Sequence, residues 1–277
     1  RAAAKLNHPN IVQAIDVGKA GDFHYFVMEY VEGTTVYDEL VEKGKYAEDR
    51  ALQIVIEMAE ALNHAHGKGF MHRDVKPKNI MITTTGIAKL ADMGLARQVT
   101  DKQAAEAEAG KAYGTPYYIS PEQIRGELDI DFRADIYGLG ATFYHMVTGQ
   151  VPFDGPNPSA VMHKHLKNEL TPPDHINPNL SSGVGEIIEV MMAKKRDERY
   201  ASTADLLADL KAVAQGDAPM QARKKFEVAQ LASLESGTVE AAPADAGPPG
   251  LLEQPMFWLF VGSAVLNIIL IIMLIMQ

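Results

Sequence analysis

The sequence predicts an α+β body, mostly helical after a few short strands, followed by a linker and one C-terminal membrane-crossing helix. Three observations carry this. Short apolar runs near the start give way to long stretches of helical periodicity. The 277 residues hold 36 acidic and 26 basic side chains, net −10, with 47% hydrophobic residues, a balance that lets a chain bury a core. The 21 positions from Met256 to Met276 contain no charged residue, which at about 1.5 Å per residue is roughly 30 Å of helix, the thickness of a hydrocarbon core.

Taken in order, Val12 to Val17 reads as a strand, joined through the Gly18–Asp22 turn to Phe23-His24-Tyr25-Phe26-Val27-Met28, which reads as a buried strand. Beyond Gly33 the period becomes helical. Ala51, Ile54, Val55, Met58, Ala59 and Leu62 recur at three and four and mark one long amphipathic helix. Short strands near Ile80–Thr83 and Ala88–Ala91 flank Thr84-Thr85-Gly86, a hairpin signal. After Ser120 the pattern is helical at 133–148, 158–168, 182–192 and 202–215. The folded domain is therefore expected over 1–215. Residues 216–255, rich in Ala, Pro, Gly and Glu, read as a juxtamembrane linker, with a short helix from Met220 to Leu234 and Pro219 at its first position. The span covers 256–276 and puts the chain against membrane lipid.

The absence of cysteine excludes a disulfide scaffold, a thiolate metal site and a cysteine nucleophile. The acidic balance, with no basic cluster longer than Arg223-Lys224-Lys225, argues against nucleic acid as partner. Because Arg1 is not Met and no charged-then-apolar leader follows it, the chain is expected to begin inside a longer protein.

The segment richest in chemistry is His72-Arg73-Asp74-Val75-Lys76-Pro77-Lys78-Asn79, which puts a carboxylate, an ammonium and a carboxamide in one loop. Thirteen residues beyond Asn79 comes Asp92-Met93-Gly94, after another short strand. Carboxylate and amide oxygens at adjacent strand ends suit Mg²⁺, a hard cation that takes few protein ligands plus phosphate oxygens. A second carboxylate nearby can accept a hydroxyl proton, and a lysine can steady charge on a transferring group.

These residues resemble the protein-kinase family. His72–Asn79 is similar to the kinase catalytic loop and Asp92-Met93-Gly94 to its Asp-Phe-Gly motif, with Met in place of Phe. Ser120-Pro121-Glu122 resembles the Ala-Pro-Glu that closes the activation segment. His8–Val12 resembles the link leaving the regulatory helix, Met28-Glu29-Tyr30-Val31 the gatekeeper and hinge, and Asp135–Gly140 the buried helix whose aspartate holds the catalytic loop. The likeness runs from Arg1 to about Ala214 in the family's order, and Lys76 two residues after Asp74 is the Ser/Thr-kinase pattern. The membrane span after a linker further resembles bacterial Ser/Thr kinases of the eukaryotic-like (Hanks) type.

That resemblance implies a protein-kinase-like fold with a helical C-lobe and part of an N-lobe. It implies ATP and Mg²⁺ as partners, and transfer of the γ-phosphoryl to protein Ser or Thr hydroxyls. Asp74 would accept the hydroxyl proton, Lys76 would stabilise the phosphoryl group, and Asn79 and Asp92 would hold Mg²⁺. Glu29 and Val31 would offer backbone groups to adenine, with Met81 beneath the ring, and Thr115 would sit beside the incoming hydroxyl. Glu122 would pair with Arg199, and Arg73 would read the charge of the activation segment. A cytoplasmic catalytic domain at the cell membrane follows from the need for ATP.

Departures matter too. The family's Gly-rich loop and ATP-positioning lysine have no counterpart here, so the 277 residues alone are expected to be nearly inactive. The rival reading is a pseudokinase scaffold that presents its helical lobe to partners. Between Asp101 and Gly114 there is no Ser or Thr, and Glu106 or Glu108 could offer Arg73 a fixed negative charge, while Thr100 remains as an acceptor. Gly138-Leu139-Gly140 reads as helix packing, since it lies in a helical stretch and lacks a third glycine. His64 and His66, like His163 and His165, stand two apart and so do not share a helix face for a metal. Asn267 in the span is the sole hint of a homodimer, through a bond worth about 1 kcal/mol.

Overall fold

The computed structural model describes residues 6–92, 97–98 and 116–226. Strands β1 (Ala14–Ala20) and β2 (Phe23–Met28) form an antiparallel hairpin, with Gly21 at φ 61° in the turn between them. A second antiparallel sheet has the order β3 (Gly33–Thr35), β5 (Ile80–Thr83), β6 (Ala88–Leu90). The first helices are α1 (Val36–Lys43), capped by the reciprocal Thr35–Asp38 box, and α2 (Glu48–Gly67). A short strand β4 (Phe70–Met71) leaves α2 and pairs with β7 (Arg97–Gln98). The helical part continues as α3 (Pro121–Arg125), α4 (Arg133–Thr148), α5 (Pro158–Lys167), α6 (Pro173–Ile176), α7 (Ser182–Met191) and α8 (Thr203–Ala214). Residues 220–226 form a further helix, α9.

The core sits where α2 packs on α4, α8 and the β3–β5–β6 sheet. Ala51, Ile54, Val55, Met58, Ala59 and Leu62, the stripe read from periodicity, are each 0% exposed. From the sheet, Ile80, Ile82, Ala88 and Leu90 face that stripe's cluster. Helix α4 is buried over nearly its whole length, so it carries little amphipathic contrast. Its glycines serve contact, as expected. A Cβ on Gly140 would lie 2.7 Å from Met191 Cβ, and one on Gly138 3.1 Å from the Val75 carbonyl oxygen.

Two expectations change. The Phe23–Met28 strand forms, but it is not buried: Phe23 is 81% exposed and Met28 41%. The hairpin is a two-stranded ribbon that belongs to neither of the other sheets, so apolar side chains emerge on both of its faces. Composition reports what a strand could bury, not whether anything covers it. Pro219 is also not the first residue of its helix. Its carbonyl accepts the Arg223 N–H at 3.0 Å, which makes it the residue preceding the first turn.

Helix α9 lies within the stretch whose composition reads as linker. Ala222 is 0% exposed, Arg223 pairs with Glu186 at 3.0 Å, and Lys225 donates to the Asp197 carbonyl at 2.8 Å. Among the described residues no helix is long and apolar enough to cross a membrane. The expected span at 256–276, with Asn267, lies outside the described residues, as do residues 227–255.

Candidate active site

The loop that follows β4 is organised around one buried carboxylate. Asp135, 1% exposed on α4, accepts from the backbone N–H of His72 at 2.8 Å and of Arg73 at 2.6 Å. His66 at the end of α2 adds a contact from Nε2 at 2.8 Å, and its Nδ1 meets Thr203 Oγ1 at 2.8 Å. Stacking on Phe132, with centroids 4.6 Å apart, sets the plane of that imidazole. Asp135 therefore holds the loop through its backbone, independently of which side chains the loop carries.

His72, 0% exposed, ties the loop to the next strand. Its Nδ1 accepts from the Asp74 N–H at 3.2 Å, so the proton sits on Nε2, which donates to the Ala91 carbonyl at 2.7 Å. The Ala91 N–H in turn donates to the Asn79 carbonyl at 2.8 Å. These bonds set Asp92, the next residue, beside the end of the loop that carries Asn79. Arg73 and Asp92 are the non-glycine residues with positive φ among those described, at 68° and 62°. Such backbone costs of order 1–3 kcal/mol and persists only where neighbours over-determine it. At Arg73 they do, since its N–H is held by Asp135 and its carbonyl accepts from Gln123 Nε2 at 2.9 Å.

Within this frame the expected catalytic side chains converge. Lys76 Nζ donates to Asp74 Oδ2 at 2.6 Å. Asn79 Nδ2 donates to the same oxygen at 3.1 Å and to the Asp74 carbonyl at 2.8 Å. Asp74 is half-buried and Asn79 buried, on a 3₁₀ turn at Pro77–Asn79. With both amide protons spent on Asp74, the side-chain oxygen Oδ1 of Asn79 is left as an acceptor. Together with the exposed Asp92 carboxylate it makes a pair of hard oxygen donors of the kind Mg²⁺ takes.

Two of the expected nucleotide-binding residues, Glu29 and Met81, sit on one side of the β3–β5–β6 sheet. Met81 on β5 is directly opposite Lys89 on β6, so their side chains share a face. Lys89 Nζ reaches Glu29 Oε1 at 2.5 Å, which brings Glu29 to the Met81 side. The Glu29 carboxylate also accepts the Gln13 N–H at 2.9 Å; burial acts to raise it, but Lys89 and Gln13 hold it below the ordinary glutamate value. Val31 is buried and Met81 half-buried. Thr115, Met93 and Gly94 lie outside the described residues, and so do Thr100, Glu106, Glu108 and Tyr113.

Two supports escaped sequence reading. Gln123 belongs to the Ser120 capping box of α3, a readable signal, but its amide reaches back to the Arg73 carbonyl 50 residues earlier. His66 had no signal of its own. Its neighbour His64 points elsewhere, to the His8 ring at 5.1 Å, as spacing two apart on a helix requires. His165 is buried against Tyr137, whose hydroxyl lies 2.7 Å from Nδ1, and burial pushes it down to about 3.

A family model described as "Protein kinase domain" matches residues 1–209. The chain belongs to the protein kinase domain family. It is 38% identical over 258 residues to the serine/threonine-protein kinase PknB of Mycolicibacterium smegmatis, an alignment that takes in 92% of this chain and 40% of the relative. Against PknB of Mycobacterium tuberculosis the identity is 38% over 238 residues, covering 84% and 38%. A probable serine/threonine-protein kinase of Clostridium perfringens, CPE1738, is 40% identical over 212 residues, covering 76% and 30%. The chain thus spans about 40% or less of the length of these curated relatives.

In this kinase domain Asp135 offers a pH test. Burial acts to raise its carboxyl, but the hydrogen bond and electrostatics of His66, followed by those of His72, hold it below the ordinary value of 3.8. A depressed carboxylate stabilises the fold fully above the unfolded value and loses that contribution as pH falls through the folded one. Urea unfolding of the parent and of Asp135→Asn should therefore differ above the ordinary aspartate range, and the gap should shrink as pH falls below it.

Proposed function

We propose that this chain is the catalytic part of a serine/threonine protein kinase, moving the γ-phosphoryl of ATP to Ser or Thr hydroxyls of proteins. The observation that carries the proposal is the shared Asp74 oxygen, bonded at once to Lys76 and Asn79, on a loop whose backbone is anchored by Asp135. In the reaction the acceptor oxygen bonds to the γ-phosphorus as the bond to the ADP oxygen breaks. The hydroxyl proton passes to the Asp74 carboxylate, Lys76 steadies the transferring group, and ADP departs. Asn79 and Asp92 would hold Mg²⁺, which supplies neutralising charge on the phosphate oxygens when bound. Glu29, Val31 and Met81 line the adenine end, and Thr115 is read beside the acceptor hydroxyl.

Residues 256–276 anchor the protein in the cell membrane, with the kinase domain on the cytoplasmic, ATP-containing side. Their uncharged length of 21 residues supports that reading. The test is transfer of radiolabelled γ-phosphate to a general protein acceptor by the membrane-anchored protein carrying the family's Gly-rich loop and ATP-positioning lysine, which the 277 residues lack. Label on Ser or Thr, lost when a chelator removes Mg²⁺, is the expected result. A folded protein that binds ATP but leaves acceptors unlabelled would overturn it in favour of the scaffold reading.

A further inference from the structure

The buried carboxylate of Asp209, 2% exposed on α8, has no part in the chemistry above. It accepts three hydrogen bonds, from the Gln221 N–H at 3.0 Å, the Ala222 N–H at 2.7 Å and the Tyr200 hydroxyl at 2.9 Å. Two of these cap the first turn of α9, so a charge inside the kinase body receives the segment that leads toward the linker. The seat is shaped for it. Gly183 has no room for a larger residue: a Cβ there would lie 2.9 Å from Val213 Cγ2 and 3.5 Å from Pro219 Cδ. Outside the seat, Arg223 grips Glu186 with both Nε and Nη2, at 3.0 and 3.3 Å. A flexible tether has no use for a buried, triply satisfied cap.

What Asp209 holds on its other side leads to the active site. Tyr200 follows Arg199, whose guanidinium forks onto Glu122 at 2.7 and 2.8 Å and donates to the Arg133 carbonyl at 2.9 Å. Glu122 and Gln123 are neighbours on α3, and Gln123 holds the Arg73 carbonyl next to Asp74. Arg133 begins α4, two residues before Asp135. A second line runs from Lys225 to the Asp197 carbonyl, and from the Asp197 carboxylate to Arg133 at 2.6 Å. Both lines of bonded groups run from α9 to the residues that fix the catalytic loop.

We propose that residues 217–226 are a strap whose docking on Asp209 helps hold the catalytic loop, so that release of the strap at the linker end loosens the loop. The strap is then a control point between tether and active site. Spatial continuity alone does not establish coupling; a response of one end to a change at the other does.

The measurement is amide hydrogen exchange along the full 277-residue chain, in the parent, in Ala222→Trp, and in Arg223→Glu/Lys225→Glu. The first variant overfills the seat, and the second leaves every buried residue in place, so it stays foldable if the first does not. The strap amides 221–226 should exchange about tenfold faster, the factor for losing one buried hydrogen bond. Amides 72–79 should quicken with them by about twofold or more, while amides 54–62 in the middle of α2 stay unchanged. A strap that opens with no change at 72–79 would overturn the coupling. Strap amides that exchange at parent rates in both folded variants would overturn the docking. Neither readout depends on phosphate transfer, so a failed activity assay and a failed strap are distinguishable.

Discussion

Replacing Asp74 by Asn is expected to lower phosphate transfer about 10²- to 10⁴-fold while leaving the fold intact, the range lost when a positioned general base is removed. The change keeps the shape of the side chain. It replaces a proton-accepting oxygen with either an amide nitrogen or a weakly basic carbonyl oxygen. It also removes the charge that draws Lys76 Nζ to 2.6 Å, so Lys76 should lose its fixed orientation as well. The charge left unpaired is that of Lys76, whose side chain is 17% exposed beside Asp74 at 34%, so it keeps access to water and thermal unfolding should move less than on breaking a fully buried pair. The measurement is kcat and KM for ATP by radiolabel transfer, in the protein that carries the Gly-rich loop and ATP-positioning lysine, beside the unfolding midpoint. A loss confined to kcat identifies a group that acts on the reacting atoms. A variant that still transfers phosphate at the parent rate would remove Asp74 from the base role.

The largest stability effect is expected at Glu122. Its partner Arg199 is 0% exposed and Glu122 3%, and their two-pronged pair is the charged centre of the helical half. Glu122→Ala would leave the guanidinium buried with only carbonyl partners, those of Ala193, Arg133 and Lys194, and its contact with the Tyr137 ring at 4.8 Å. Breaking such a pair from one side costs about 3–5 kcal/mol. The unfolding midpoint should fall by about 2–4 °C for each kcal/mol in a domain of this size. The double variant Glu122→Leu/Arg199→Met should recover part of the loss, since no charge is then stranded. Recovery should be incomplete because three carbonyls lose their donor. Equal destabilisation by the single and double variants would mean that the Arg199–carbonyl bonds, rather than the ion pair, hold this region.

What could be read in advance follows from contact range. The Asp74–Lys76–Asn79 cluster was legible because its bonds are local: Lys76 and Asn79 reach Asp74 from two and five residues away, within one loop. The long helix was legible because twenty residues give its apolar period room to show. Helix α4 spans Arg133–Thr148, as its helical pattern predicts, although its buried circumference blurs the period. The Glu122–Arg199 pair spans 77 residues and came from family resemblance, not from any local pattern.

Other features depend on what lies opposite. The β2 strand has the composition of a core strand, yet Phe23 and Met28 face outward because, among the described residues, the hairpin's strands pair only with each other. Residues 220–226 lie in a stretch whose composition reads as linker, and it is Asp209, twelve and thirteen residues back, with Glu186 and the Asp197 carbonyl, that shows they belong to the folded body. His66 steadies Asp135 across 69 residues and Gln123 reaches the Arg73 carbonyl across 50, distances over which no periodicity speaks. By itself, then, the sequence determined the longer elements, the likeness to the kinase family and which polar residues share one loop, since those rest on residue type and short spacing. Only tertiary structure decided which apolar faces are covered and which remote groups steady the loop, because burial and long-range hydrogen bonds belong to pairs of segments that neither member specifies alone.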